Sequence, residues 1–459
     1  MSDPMEFLRA FHLSQAPDAA RHQADRLCLD LIGVAAGGAT TRLSHLIRDH
    51  AAAVMPGTAP LAFDGRGVSS LGQALALGMT IDALDGHDGY NPAKGHVGCG
   101  LIAGMLALWP EAADQGGAAF AEALILGYEL GSRLATSLHA SVSDYHTSGA
   151  WVAVTVAAVG SRMLALSEAE TAHALGIAEY HGPRSQMMRC IDHPTMLKDG
   201  SGWGAMCGVS AVLLARSGFT GAPALTFGAP GDHWTGLGTD WRILQQYLKP
   251  YPVCRWAQAP VEAVLALRTR HGLTAGDVAA IEIESFHEAT RLATNAPANT
   301  EEAQYSTSFP AAVAMVRGAI GAADVQEGAL DDPEVRRLSL ATTMREHDHA
   351  NANFPSGRLA RVALTLTDGR RVESDWASPR WDAETPPTDA ELEEKFRSLA
   401  SVALGSEQSA SLRAAVAAAT RDGPAELLSV LGDPLVADER GKDRAEVVEM
   451  PQERVGLQL

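Results

Sequence analysis

Residues 81–100 read IDALDGHDGYNPAKGHVGCG, and the fold turns on how this stretch is understood. Asp82, Asp85, His87, Asp88, Lys94 and His96 crowd together between two apolar helical patterns, 71–84 and 99–109. A polar cluster entered from both sides by core helices suits a buried corner of a helical body. There, proton-transfer groups can be held at shifted pKa. The same residues also fit a plain interhelical loop whose acids cap the next helix.

The pattern on either side repeats that unit. Helical periodicity runs over 5–35, with Leu27, Leu29, Leu31 and Ile32 apolar, and ends at Gly33. It returns over 43–53, 120–137 and 205–215, while 56–67 is a Gly/Pro-rich connection. The stretch 150–166 is nearly all apolar and predicts a helix buried all round. Ser167 with Glu170 fits a capping box for a helix over 168–177. Polar corners at 139–149 and 182–204 separate these segments.

After Pro250 the texture changes. A helix is expected over 260–271, but 278–285 alternates apolar and polar residues, the strand period. Residues 359–366 and 371–376 read as two strands joined by an Asp368-Gly369 turn. Helices are expected at 309–318 and 389–400 within this region, and a last helical segment spans 410–431. Residues 260–400 therefore read as a smaller α/β unit inserted in a helical protein.

The bulk composition narrows the function classes. At 459 residues the chain exceeds one compact core, so two domains are expected. Hydrophobic content of 46% with 5% aromatics means Ala, Leu and Val build the interior, which suits close-packed helices. The formal charge of −19 argues against nucleic acid or anionic membrane as partner. An acidic protein that takes an anionic substrate must concentrate its few cations in the site. Cys28, Cys99, Cys190, Cys207 and Cys254 form no CxxC pair, against a zinc ribbon, redox dithiol or secreted disulfide frame. No leader pattern occurs and no apolar run reaches the roughly 20 residues of a membrane span, so a soluble cytoplasmic protein is expected.

Four polar corners carry candidate chemistry: 82–96; Tyr145 with His146; Lys198 before a Gly-rich helix entry; and Lys249 with Arg255 around two prolines. Lys198 near helix N-terminal amides would make an anion pocket; a capping or snorkelling lysine is the alternative. Lys249 and Arg255 could serve the site or clamp two domains together. Gly98-Cys-Gly100 follows a polar turn instead of a strand, so it is no dinucleotide loop. His347-Asp-His349 reads as a solvated loop, and a metal at His87, Asp88 and His96 lacks supporting ligands. No GxSxG elbow or P-loop occurs.

Several motifs together resemble the MmgE/PrpD family, which includes 2-methylcitrate dehydratase, cis-aconitate decarboxylase and iminodisuccinate epimerase. They are Gly127-Tyr-Glu129 with Arg133, His173-Ala-Leu-Gly-Ile-Ala178, Gly218-Phe-Thr-Gly221 and Lys249-Pro-Tyr-Pro-Val-Cys-Arg255. Tyr305-Ser306 leading to Phe309 and Gly318, and Glu394-Lys-Phe-Arg397, complete the set. The resemblance implies a mainly α protein: a large all-helical domain from both chain ends plus a smaller α/β lid, assembled as a homodimer. The expected division is 1–258 with 401–440, then 259–400, with a loose tail at 441–459.

It also implies an active site between the domains that needs no metal or organic cofactor. Matched residue by residue, the catalytic positions fall on Asp85, His96, His146, Lys198 and Lys249. Arg255, His87, Asp88, Tyr145 and Tyr305 are the expected substrate-binding residues. The family's usual threonine position is Gly89, its lid tyrosine Phe309 with Tyr305 one helical turn before, and its histidine after Cys-Arg falls around Gln258. The expected substrate is a di- or tricarboxylate. Its carboxylate would be neutralised by Lys198, Lys249 and Arg255 while His96 and His146 move a proton at the neighbouring carbon. A 2-methylcitrate dehydratase-like hydro-lyase is the leading reading, with epimerase and decarboxylase outcomes, or a non-catalytic carboxylate binder, as alternatives.

Overall fold

The computed structural model describes residues 3–435 apart from Pro230 and Ala293, so the expected tail lies outside the described residues. Helices dominate, and the sheets are small. One hydrophobic core is built from residues 7–248 together with 381–431. A second gathers residues of 251–366 around a four-stranded sheet.

Glycines set how closely the first core packs. Helix Ser201–Arg216 lies against Gly149–Met163 and Ser70–Asp82. A Cβ on Gly78 would stand 2.6 Å from the Gly202 Cα, so these two helices touch backbone to backbone. That contact brings the 81–100 corner against the 198–200 corner. Helix Gly149–Met163 is almost wholly buried, as its apolar run predicts.

The N-terminal segment differs from the single helix expected over 5–35. Helix Pro4–Ala10 stops at an extended Phe11, and Asp18–Gly38 starts only after Pro17, because Ala16, the residue before the proline, is driven out of the α region. Gly33 lies inside the second helix instead of ending it. A Cβ there would meet the Phe396 ring at 2.9 Å, so the glycine serves close packing with Asp389–Ala403. That C-terminal helix thus belongs to the helical core and not to the α/β unit, where the sequence reading set it. Gly423, at φ +95°, splits the last segment into Ser406–Asp422 and Ala425–Leu431.

The capping box is present: the Glu170 amide donates to Ser167 Oγ at 3.3 Å and the Ser167 amide to Glu170 Oε2 at 2.8 Å. Strand Val278–Ser285 forms as its alternation predicts and pairs antiparallel with Arg361–Leu366, which pairs with Arg371–Glu373. Thr342–Glu346 adds a parallel edge strand that its polar sequence hides. Between the two bodies a third apolar cluster joins Met187, Cys190 and Ile191 to Cys254, Trp256 and Tyr305. The candidate site lies beside this seam.

Candidate active site

The 83–97 corner holds its acid by an unusual backbone turn. Asp85 sits at φ +47°, a left-handed conformation that Asp tolerates better than most residues. There both its carbonyl and its carboxylate face Lys249, whose Nζ donates at 2.7 Å and 2.6 Å. Lys249 reaches this point because Gln246–Tyr247 pairs with Gly89–Tyr90 just upstream. Lysine and acid are both buried. Burial pushes against each charge, but the partner outweighs it: Asp85 lies below its ordinary pKa and Lys249 above.

His96 completes the group, with Nε2 3.9 Å from Asp85 Oδ1. Its Nδ1 contacts the Asp88 carbonyl, an oxygen that can only accept. The proton therefore sits on Nδ1, leaving the Nε2 lone pair toward Asp85. Burial, then Lys249 and His87, hold the imidazole well below the usual histidine range. The result is a neutral base next to an ion pair.

Lys198 arrives from the other side of the glycine contact, at φ +51° and buried. Its Nζ donates to Gln304 Oε1 and lies 5.3 Å from the centre of the Tyr305 ring. Among the described residues no carboxylate pairs with it, unlike Lys249. Gln304 also donates to the Ala83 carbonyl at 3.0 Å, linking the Lys198 corner to the Asp85 loop. A cavity of about 360 Å³ opens here, lined by Thr147, Gln186, Cys190, His193, Lys198 and Trp203.

The 146–149 corner is stitched to both neighbours. The His96 amide donates to Ser148 Oγ at 2.8 Å, Ser148 Oγ donates to Asp199, and the Gly149 amide donates to the Asp199 carbonyl at 3.1 Å. His146 leads into this corner, and burial and Arg184 keep its ring neutral. The charges acting on it are those of Arg184 and Asp144, and its backbone pairs with Gln186, which lines the same cavity as Lys198. Asp199, next to the predicted lysine, is fully enclosed; burial and the charge of Asp82 push it up to about 8.

Other expected ligand-binding residues divide. Tyr305 lies in the site, whereas Phe309 is packed in the second core. Tyr145 faces Lys94, with Nζ 4.6 Å from its ring centre. Asp88 turns its carboxylate toward the Gly98 amide at 3.4 Å and its carbonyl toward His96, so it orients the base from inside the core. His87, fully buried, has Nε2 3.3 Å from Asp82 Oδ1 and packs edge-on against His96 at 4.5 Å. Arg255 is committed to Asp382 at 2.9 Å, to the Leu248 and Arg380 carbonyls, and to the Tyr247 ring face. Its geometry is that of the clamp alternative. Gln258 donates to the Tyr251 and Val253 carbonyls and braces the loop that carries Lys249.

Sequence reasoning missed Tyr247, Gln304, Asp199 and Arg358. At Gly89 a Cβ would stand 2.3 Å from the Tyr247 hydroxyl, so that phenol fills the space beside His96 which a larger residue would occupy. Asp82, His87 and Cys99 also bring ligand atoms within 4.8 Å of one another. In that trio His87 shares its proton with Asp82, and burial holds the Cys99 thiol far above its ordinary range, so the groups are already protonated against each other. The pair His347 and His349 packs on Trp376 at the surface. All five cysteines are free, and no described helix is long and apolar enough to cross a membrane.

Fold and site together define a helical body with an α/β partner and a buried acid–base group at their seam. Residues 5–232 match the MmgE/PrpD N-terminal domain and residues 251–420 the MmgE/PrpD C-terminal domain. The chain belongs to the MmgE/PrpD family. Among curated proteins it is 24% identical over 391 residues to the cis-aconitate decarboxylase-like protein oryM of Aspergillus oryzae, covering 73% of this chain and 76% of that one. It is 22% identical over 392 residues to the cis-aconitate decarboxylase of Aspergillus terreus, covering 75% and 77%.

Proposed function

We propose that the protein is a lyase that moves a proton at the carbon beside a carboxylate of a di- or tricarboxylic acid. The observation that carries this reading is the neutral His96, with Nε2 3.9 Å from an Asp85 whose charge is already matched by Lys249. The C–H bond next to a carboxylate is a very weak acid, so charge developing on the carboxylate must be met by fixed cations. Lys198, which makes no ion pair among the described residues, meets that need; in a buried cleft its effect far exceeds that in water. His96 Nε2 then takes the proton, and the Asp85 carboxylate, held in place by Lys249, faces the imidazolium that forms. Departure of a β-hydroxyl, which takes up the proton carried by His96 and leaves as water, completes a dehydration.

The names of the two curated relatives favour a second outcome on the same scaffold, decarboxylation. There the C–C bond breaks, its electron pair passes to the carbon conjugated with the remaining carboxylate, carbon dioxide leaves, and a protonated group returns a proton. Incubation with tricarboxylates in deuterated water separates the cases by mass: loss of water, loss of carbon dioxide, or deuterium gained without loss. Binding with no exchange and no mass change would make the protein a carboxylate binder and end the lyase reading.

A further inference from the structure

Beyond the Lys198 group, Arg358 and Lys94 form a second set of cations that makes no ion pair among the described residues, although the charge of Asp382 reaches Arg358 and that of Glu288 reaches Lys94. Arg358 is 3% exposed, and its Nη1 donates to Asn91 Oδ1 at 2.6 Å and to the Pro355 carbonyl at 2.8 Å. Its Nη2 donates to the Asn91 carbonyl at 3.2 Å. The Nε proton is buried with no acceptor. The guanidinium is thus fixed by the Asn91 side, while the Nε–Nη2 edge keeps donors for a flat anion. Lys94, three residues after Asn91, lies over the Tyr145 ring and makes no ion pair among the described residues. Arg358 also depresses the Lys94 pKa, after burial itself, so the two cations repel each other.

The position of this set relates it to the acid–base group. Tyr247 lies 6.3 Å from His96, ring to ring, and feels the charges of both Lys249 and Arg358. Cys254 feels the charges of Asp85, Lys249 and Arg358. The Tyr247 ring also carries Arg255 at 4.2 Å, and Arg255 shares Asp382 with Asn91, the residue that holds Arg358, so the Arg358 end is tied to the His96 end through Tyr247 and Asn91. Lys94 comes from the helical body and Arg358 from the α/β unit.

We propose that Arg358 and Lys94 form a second carboxylate subsite, which holds the carboxylate of a di- or tricarboxylic acid that lies farthest from His96. This rests on the polycarboxylate reading above and names the residues that select two charges over one. An anion there relieves the repulsion between the cations and joins the two bodies across the seam. The unpaired Nε–H and the Nη2 beside it are the donors a carboxylate would accept from side-on, with the lysine as a point charge beside it.

The test is calorimetric titration of the full-length protein with propane-1,2,3-tricarboxylate and glutarate, and with butyrate read by competition at constant ionic strength. Arg358→Gln and Lys94→Met should each weaken tricarboxylate binding about ten- to a hundredfold while leaving butyrate nearly unchanged. Lys198→Met should weaken all three ligands. Arg358→Lys, which keeps the charge and loses the fork, should fall between. If Arg358→Gln does not fold, Lys94→Met and Arg358→Lys decide. Equal weakening of butyrate, unaltered tricarboxylate binding, or no binding to the wild type overturns the subsite. Tight binding through Arg358 without deuterium exchange would instead sink the lyase reading and leave the subsite standing.

Discussion

Lys249 and Asp85 are 164 residues apart in the chain, yet the lysine Nζ lies 2.6 Å from the carboxylate and 2.7 Å from the carbonyl of the same aspartate. One ammonium group thus holds both the charge and the left-handed backbone turn of the residue beside His96.

Lys249→Met leaves a buried carboxylate without its partner and should cost about 3–5 kcal/mol of stability. The double variant Asp85→Asn with Lys249→Met removes both charges and should recover most of that loss, yet stay inactive. Denaturant unfolding of the single and double variants checks this. Equal destabilisation of both would mean the ion pair is not what holds the loop.

The pH profile follows from His96. Its folded pKa is depressed by burial, Lys249 and His87, so the neutral base persists on the acid side of an ordinary histidine. The acid limb of kcat/KM should then lie below about 6.5, the usual histidine value. His96→Ala should lower turnover by about 10²–10⁴ with an unchanged melting temperature. An acid limb above that value, or wild-type turnover in the variant, removes His96 from the chemistry.

Asp199 makes stability fall as pH rises. Its folded pKa is pushed up to about 8, so the folded chain keeps a proton that the unfolded chain, with an ordinary carboxyl near ~4, has released. Its contribution is fully present below the unfolded value and is lost as pH rises through about 8. Asp199→Asn should flatten the drop in melting temperature between about pH 4 and about pH 8. A steeper drop in the variant would contradict the assignment.

Gly202→Ala tests the helix contact that brings the two corners together. Its Cβ would meet the Leu75 carbonyl at 2.6 Å and the Met79 amide at 2.7 Å, backbone atoms that cannot swing aside. A loss of about 1–3 kcal/mol or more is expected. Gly328→Ala, with nothing within 4 Å, should be close to neutral. Comparable melting temperatures for the two variants would show that the helices have room to part.

What could be read ahead of the structure was local or periodic. The Ser167–Glu170 box needs only four residues, and the Val278–Ser285 alternation carries its own two-residue period. The crowding of Asp85, His87 and His96 between apolar helices pointed to the corner where the structure buries them together, because charged groups are rarely kept among core helices unpaired. The parallel strand Thr342–Glu346 was hidden, since an edge strand with one exposed face keeps polar residues and no clear alternation. Arg255 and Arg358 look alike in sequence. Only their neighbours show that Arg255 is ion-paired to Asp382, whereas Arg358 donates to Asn91 and the Pro355 carbonyl and makes no ion pair among the described residues; the Nε of each lacks an acceptor.

The sequence by itself determined a mainly helical protein with a late α/β segment, an acidic surface, and which polar corners could carry chemistry. Those properties depend on neighbours in the chain, where spacing and residue type already express the helical or strand period. The tertiary structure alone decided that Lys249 closes on Asp85, that Lys198 makes no ion pair among the described residues, and that Asp88 and Arg255 serve as supports. Such pairings depend on burial and on distances across more than a hundred residues. A buried charge takes its meaning from whatever lies within a few ångströms, and no local pattern records that.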